Sequence, residues 1–160
     1  LLLASTLRNC GSLKKLSLRR HDIFNHLDAE QLDTLIKALW NHRTLEELCI
    51  QGASCQARGM SSIARHLFGP KSNLQKLDLS NHRYGTDSLD GLHYLTDALQ
   101  VSHKLKTLSL SGHRLTHANI QQLTNVLLCH HCQLKDLNLA DCQISNESVE
   151  LLAQNLDRMG

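Results

Sequence analysis

Cys129-His130-His131-Cys132 places four side chains of metal-ligating type side by side. Thiolates and imidazoles of this kind suit zinc, but a zinc site draws on two separated ligand pairs, and four consecutive residues cannot wrap one tetrahedral ion. A remote second pair would be needed, and the stretch falls where a helix hands over to a strand, so no metal is expected there. His113-Arg114-Leu115-Thr116-His117 has the i, i+4 histidine spacing of a metalloprotease helix but lacks the glutamate and lies in the turn before a helix. No phosphate-binding loop, nucleophile elbow or paired carboxylates in a cleft accompany these residues. Neither an enzyme nor a cofactor is expected, and the eleven histidines need another explanation.

That explanation starts from the elements that carry them. Leu105-Lys-Thr-Leu108-Ser-Leu110 is followed by a helical run with Ile120, Leu123 and Leu127. The same Leu-x-x-Leu-x-Leu core recurs as Leu13/Leu16/Leu18, Leu45/Leu48/Ile50, Leu74/Leu77/Leu79 and Leu134/Leu137/Leu139. A strand-plus-helix unit of this kind cannot bury its apolar face alone and must stack on its neighbours. The 34 leucines among 160 residues are about twice ordinary usage, as such stacking requires. The expected fold is an α/β leucine-rich-repeat solenoid, a horseshoe segment of about five repeats with a parallel concave sheet and convex helices. A single domain covers residues 1–160, with strand starts at 13, 45, 74, 105 and 134.

The net charge of +2 gives no general attraction to nucleic acid or anionic membrane, so neither is an expected partner. No apolar run approaches the roughly 18 residues of a membrane span. Cys49, Cys55 and Cys142 fall inside the repeat register and read as thiols, which argues for a cytoplasmic or nuclear location. The first nine residues resemble the last turns of a helix, with Leu3 and Leu7 on one face, and no polar cap precedes them. The chain is therefore expected to be a piece of a longer array.

Each helix shows its own start and face. Asp28 with Gln31 resembles a capping box ahead of Leu32, Leu35 and Leu39. Met60, Ile63 and Leu67 line the second helix, where Gly52, Gly59, Gly69 and Pro70 favour turns and mark the softest repeat. Leu89, Leu92, Leu95 and Leu99 line the third. Ser145 or Asn146 should cap a last helix carrying Val149, Leu152 and Leu156.

At a period of about 29 residues with full helices, the pattern resembles the ribonuclease-inhibitor type of leucine-rich repeat. The junction Arg8-Asn-Cys10-Gly-Ser-Leu13-Lys-Lys-Leu16 is similar to those of nucleotide-binding, leucine-rich-repeat immune receptors. The resemblance implies a cytosolic or nuclear binding module: an inhibitor, a sensor, a ubiquitin-ligase substrate receptor or a small-GTPase regulator. It also implies Asn or Cys after each strand, where this chain has His21, Ala53, His82, His113 and Cys142. A neutral imidazole can satisfy the same backbone groups, so His82 and His113 are expected to be buried and structural. Burial would then depress their pKa and make stability fall on acidification.

Strand residues alternate, so those between the leucines point to the concave side. The expected partner-binding residues are Lys14, Lys15, Ser17, Arg19 and Arg20 in repeat one, then Glu46, Glu47 and Gln51. They continue with Gln75, Lys76, Asp78 and Asn81, then Lys106, and finally Lys135, Asp136, Asn138 and Asp141. Cys49, Ser80, Ser109 and Ser111 share that side. The expected partner is a protein or peptide, with an acidic segment over the basic repeat one. The alternatives are a regulator of a small GTPase and a structural scaffold.

Overall fold

The computed structural model describes residues 2–18, 29–40, 42–51, 57–69, 72–81, 89–130 and 132–156. Within them, strands β1 (Lys15–Leu18), β2 (Glu47–Ile50), β3 (Lys76–Asp78), β4 (Thr107–Ser109) and β5 (Asp136–Asn138) form one parallel sheet in chain order. Parallel neighbours need a crossover, and helices supply it. They are α1 (Leu2–Arg8), α2 (Ala29–Trp40), α3 (Ala57–Leu67), α4 (Leu92–Val101), α5 (His117–Leu127) and α6 (Asn146–Leu156), each packed on the next.

The strand register follows the leucine spacing. Lys15 pairs with Glu47, Glu47 with Lys76, Lys76 with Thr107 and Thr107 with Asp136, each two residues past an expected repeat start. One step further along, Leu16, Leu48, Leu77, Leu108 and Leu137 stack into a continuous apolar row. Leu48, Leu77 and Leu108 are wholly inside, as are Ile50, Leu79 and Leu110 one alternation later. At about 1.5–3 kcal/mol for each buried side chain of this size, these rows and the facing helix residues hold the repeats together. The helix faces agree for Leu35 and Leu39, for Met60, Ile63 and Leu67, and for Leu89, Leu92, Leu95 and Leu99, all buried. Despite Gly59, α3 runs its eleven residues without a break, because its apolar face is enclosed from both sides.

Three helix faces differ from expectation by about one residue. In α1 it is Ala4 and Leu7 that are buried, while Leu3 is 39% exposed. In α5 Val126 is buried and Leu127 only half-buried. Thr116 sets the phase of α5 through a capping box with Asn119, a start signal that leucine spacing does not contain. In α6 Val149 is 51% exposed, because Ser148 takes the inward position and its Oγ meets His117 Nδ1 of α5 at 2.9 Å. Leu151 and Leu152, three and four residues on, share that face and pack on the core. Ser145 is the cap of α6, its Oγ accepting from the Ser148 backbone amide at 3.4 Å. The expected cap at Asp28 lies outside the described residues, as do Gly52, Pro70 and Cys55; the side chains of Leu32 and Leu156 are likewise not described. Among the described residues no helix is long and apolar enough to cross a membrane.

Candidate functional site

Side chains of the concave side fall into rows that run across the strands, and their length decides what each row does. Along the second repeat position, backbone amides of Glu46, Gln75, Lys106 and Lys135 each donate to the carbonyl of the row's preceding member, at 2.8, 2.8, 2.8 and 2.7 Å. Lys14, Glu46, Gln75, Lys106 and Lys135 thus stand side by side. Lys14 pairs with Glu46 at 3.3 Å, and Lys106 Nζ donates to Gln75 Oε1 at 3.0 Å. In the next row Lys15 pairs with Glu47 at 2.7 Å, and Thr107 Oγ1 donates to Asp136 Oδ2 at 3.2 Å. The Glu47 partner raises the Lys15 pKa through a hydrogen bond and charge, and Lys15 in turn lowers that of Glu47.

The row that passes through Asp78 behaves differently. Asp78 is only 8% exposed, and Cys49, Ser80, Asn81, Ser109 and Ser111 are also buried, so these residues leave little surface on the concave side. Neighbouring strands lie about 4.8 Å apart, and short polar side chains at that spacing reach one another instead of solvent. Asp78 Oδ2 accepts from Gln51 Nε2 at 2.8 Å and from the Cys49 thiol at 3.4 Å. Its Oδ1 accepts from the Ser80 amide at 3.0 Å and from the Ser80 hydroxyl, which also meets Ser109 Oγ at 2.8 Å. Burial alone would raise the Asp78 pKa, but the donors from Ser80, Gln51 and Cys49 outweigh it and hold the carboxyl below its ordinary value.

Of the expected binding residues, Lys14, Lys15, Ser17, Lys76, Lys106, Lys135, Asp136, Asn138 and Asp141 are exposed, and Glu46, Glu47, Gln51 and Gln75 half-buried. Asp78 and Asn81 are buried, and Arg19 and Arg20 lie outside the described residues. Lys14 and Lys15 of repeat one each have a carboxylate of repeat two against them.

One group of polar residues was missed. Asn73 and Lys104 each stand just ahead of a repeat's first leucine, and Lys104 Nζ donates to Asn73 Oδ1 at 2.7 Å. Asn73 Nδ2 in turn donates to the Arg43 carbonyl. With Glu46, Gln75, His103 and Lys106 they line an open groove of about 490 Å³. The signal in the sequence was the polar residue that precedes the first leucine in every copy: Ser12, Thr44, Asn73, Lys104 and Gln133.

Behind the strands, His113 is buried and its Nε2 donates to the Leu79 carbonyl of the preceding repeat at 2.7 Å. Cys142, at the same position one repeat on, donates its thiol proton to the Leu110 carbonyl at 3.2 Å. Burial pushes the Cys142 thiol pKa up, which keeps that proton in place. His82, His21 and Ala53 lie outside the described residues. Cys10, Cys49, Cys129, Cys132 and Cys142 are all free thiols. Cys129 and Cys132 are half-buried, linked through the Cys132 amide and the Cys129 carbonyl at 2.9 Å.

A family model described as a leucine-rich repeat matches residues 130–153. Over 119 residues, 74% of its length, the chain is 31% identical to NACHT, LRR and PYD domains-containing protein 5 of Mus musculus. Over 130 residues, 81% of its length, it is 30% identical to the ribonuclease inhibitor of Sus scrofa. This chain is a leucine-rich-repeat protein of the ribonuclease-inhibitor type. Its leucine-rich repeats span 10% of the first relative and 28% of the second. They share their fold with leiomodin-1 actin-binding site 2, at a TM-score of 0.69 and 15% identity over 99% of this chain and 90% of that one. The tropomodulin C-terminal domain of Caenorhabditis elegans follows at a TM-score of 0.64 and 15% identity, over 97% of this chain and 92% of that one.

Proposed function

We propose that this leucine-rich-repeat chain binds a protein or peptide on its concave sheet face, as the recognition part of a larger intracellular protein. The observation that carries this reading is the division of that face into rows. The row around Asp78 is closed by its own hydrogen bonds, and beside it Lys14, Lys15, Glu46, Glu47 and Lys106 are held in register by cross-strand pairs. Long side chains held in place by neighbours lose less freedom when a partner arrives. The similarity to a ribonuclease inhibitor, a protein named for acting on another protein, supports the same reading.

A second reading is an actin partner, favoured by the fold shared with a domain described as an actin-binding site. Photo-crosslinking groups placed at Gln51, Lys76 and Asn138 on the face, and at Arg65 and Glu147 on helices, separate these cases. Capture from the face positions alone is expected, and capture from the helix positions alone overturns the concave-face reading. Co-sedimentation with actin filaments, and GTP hydrolysis by added small GTPases, decide between an actin partner and GTPase regulation.

A further inference from the structure

The row Lys14, Glu46, Gln75, Lys106, Lys135 has two chemically different ends. At repeats one and two, each ammonium faces a carboxylate, Lys14 with Glu46 and Lys15 with Glu47. At repeats three and four, Lys104 Nζ rests on Asn73 Oδ1 and Lys106 Nζ on Gln75 Oε1, both neutral amide oxygens. A carboxamide orients an ammonium group without cancelling its charge. Of the nearby acidic residues, Glu46 is paired with Lys14, and Asp136, which accepts from Thr107, belongs to the next row. Lys135, the next member of the row, is exposed and adds to the positive end. The groove of about 490 Å³ opens where these two oriented ammonium groups stand.

We propose that this groove docks an acidic peptide segment, whose carboxylates take Lys104 and Lys106. The inference rests on the protein-binding reading and names the chemistry of the partner and its seat. A peptide fits better than the other polyanions. Among the described residues no arginine lines the groove to grip phosphate in two-point fashion. Among the described residues no Phe, Tyr or Trp lines it to stack a nucleobase. Glu46, paired with Lys14, stands at the repeat-two end, and among the residues lining the groove the ammonium groups without a carboxylate partner are Lys104 and Lys106. The carboxylates therefore lie over repeats three and four, with an uncharged residue toward Glu46. This moves the acidic segment away from repeat one, where the described lysines are already paired.

The test is an NMR titration of the isotope-labelled chain with the blocked peptide Glu-Gly-Glu-Gly-Glu, following the side-chain amide signals of Asn73 and Gln75. Those signals should move with the peptide, and not with its Gln-Gly-Gln-Gly-Gln counterpart. Lys104→Gln/Lys106→Gln should weaken binding about tenfold or more, and Lys37→Gln/Arg65→Gln, on the helix side, less than about twofold. All four basic side chains are exposed, and an unchanged backbone spectrum shows that each variant keeps its fold. Equal losses in the two double variants overturn the proposal, as does inorganic phosphate binding as tightly as the peptide. Shifts confined to other residues, or no shifts, also overturn it. Any of these results leaves the concave-face reading to the crosslinking experiment, which does not depend on the groove lysines.

Discussion

His113 Nε2 donates to the Leu79 carbonyl at 2.7 Å, joining repeat four to repeat three behind the sheet, with the ring only 2% exposed. The Cys142 thiol makes the equivalent bond to Leu110 one repeat later. Each is a side-chain donor aimed at a carbonyl of the preceding repeat, and the position asks for a donor more than for a residue type.

Replacing His113 with Leu should therefore strand a buried carbonyl and lower stability by about 1–3 kcal/mol. His113→Asn, with a shorter donor arm, should recover part of that loss. Urea unfolding midpoints of the two variants check this, and a leucine variant as stable as the asparagine one would contradict it.

Asp78 is the hub of the concave layer, accepting from Gln51, Cys49 and Ser80. Its folded carboxyl titrates below its ordinary value, so the folded state releases this proton more readily than the unfolded one. The resulting stability is present above the ordinary value near 3.9 and is lost as pH falls through the depressed one. Asp78→Asn should flatten the decline of the unfolding midpoint below about pH 4. Asp78→Ala, which leaves several buried donors unanswered, should cost about 1–3 kcal/mol at neutral pH.

Between α2 and α3, the His66 ring lies 5.3 Å from the ring of Trp40, the single tryptophan, and its Nε2 lies 3.7 Å from Asp33 Oδ1. Asp33 is also held by Lys37 and Ser62, which keep its carboxyl below the ordinary range. Burial lowers the His66 pKa, with Lys37 and Arg65 adding to that and Asp33 opposing it. The unfolded chain then takes the proton first, and this contribution to stability is present above about pH 6.5 and lost as pH falls through the folded value. A protonated imidazole quenches indole emission, and Trp40 fluorescence in the folded state should fall with a midpoint below about 6.5. A transition at or above that pH, or one that survives in His66→Gln, would exclude His66 as its source.

Gly91, the N-cap of α4, has φ of +83°, and a Cβ there would stand 2.5 Å from Ala57 Cα at the start of α3. Strain and collision add, so Gly91→Ala should destabilise by at least about 1–2 kcal/mol. Gly11, where an added Cβ would meet nothing within 4 Å, is the control. Its alanine variant should unfold at or slightly above the wild-type temperature, and a similar loss at both sites would remove the packing explanation.

Leucine spacing alone determined the repeat count, the strand order and the register, because the inward side chains of a strand are chosen by a local alternation that each repeat carries complete. Helix faces were legible to within one residue, and the remainder depended on caps such as Thr116 and on Ser148 turning toward His117. Sequence also identified the position behind the strand that His113 and Cys142 occupy. It did not tell which outward residues meet solvent. Lys76 and Asp78 are two apart and share a side of the same strand, yet one is exposed and the other enclosed. The difference lies in Cys49, Gln51, Ser80 and Ser109, three of which reach Asp78 from other strands or beyond the strand end. Likewise, Lys14 and Lys15 look unopposed within their own strand segment, and Glu46 and Glu47 arrive from the next repeat, 32 residues along the chain. Exposure and charge at a strand surface are set by neighbours that only the folded stack brings together, whereas the inward leucines of each strand follow from an alternation that the repeat itself carries.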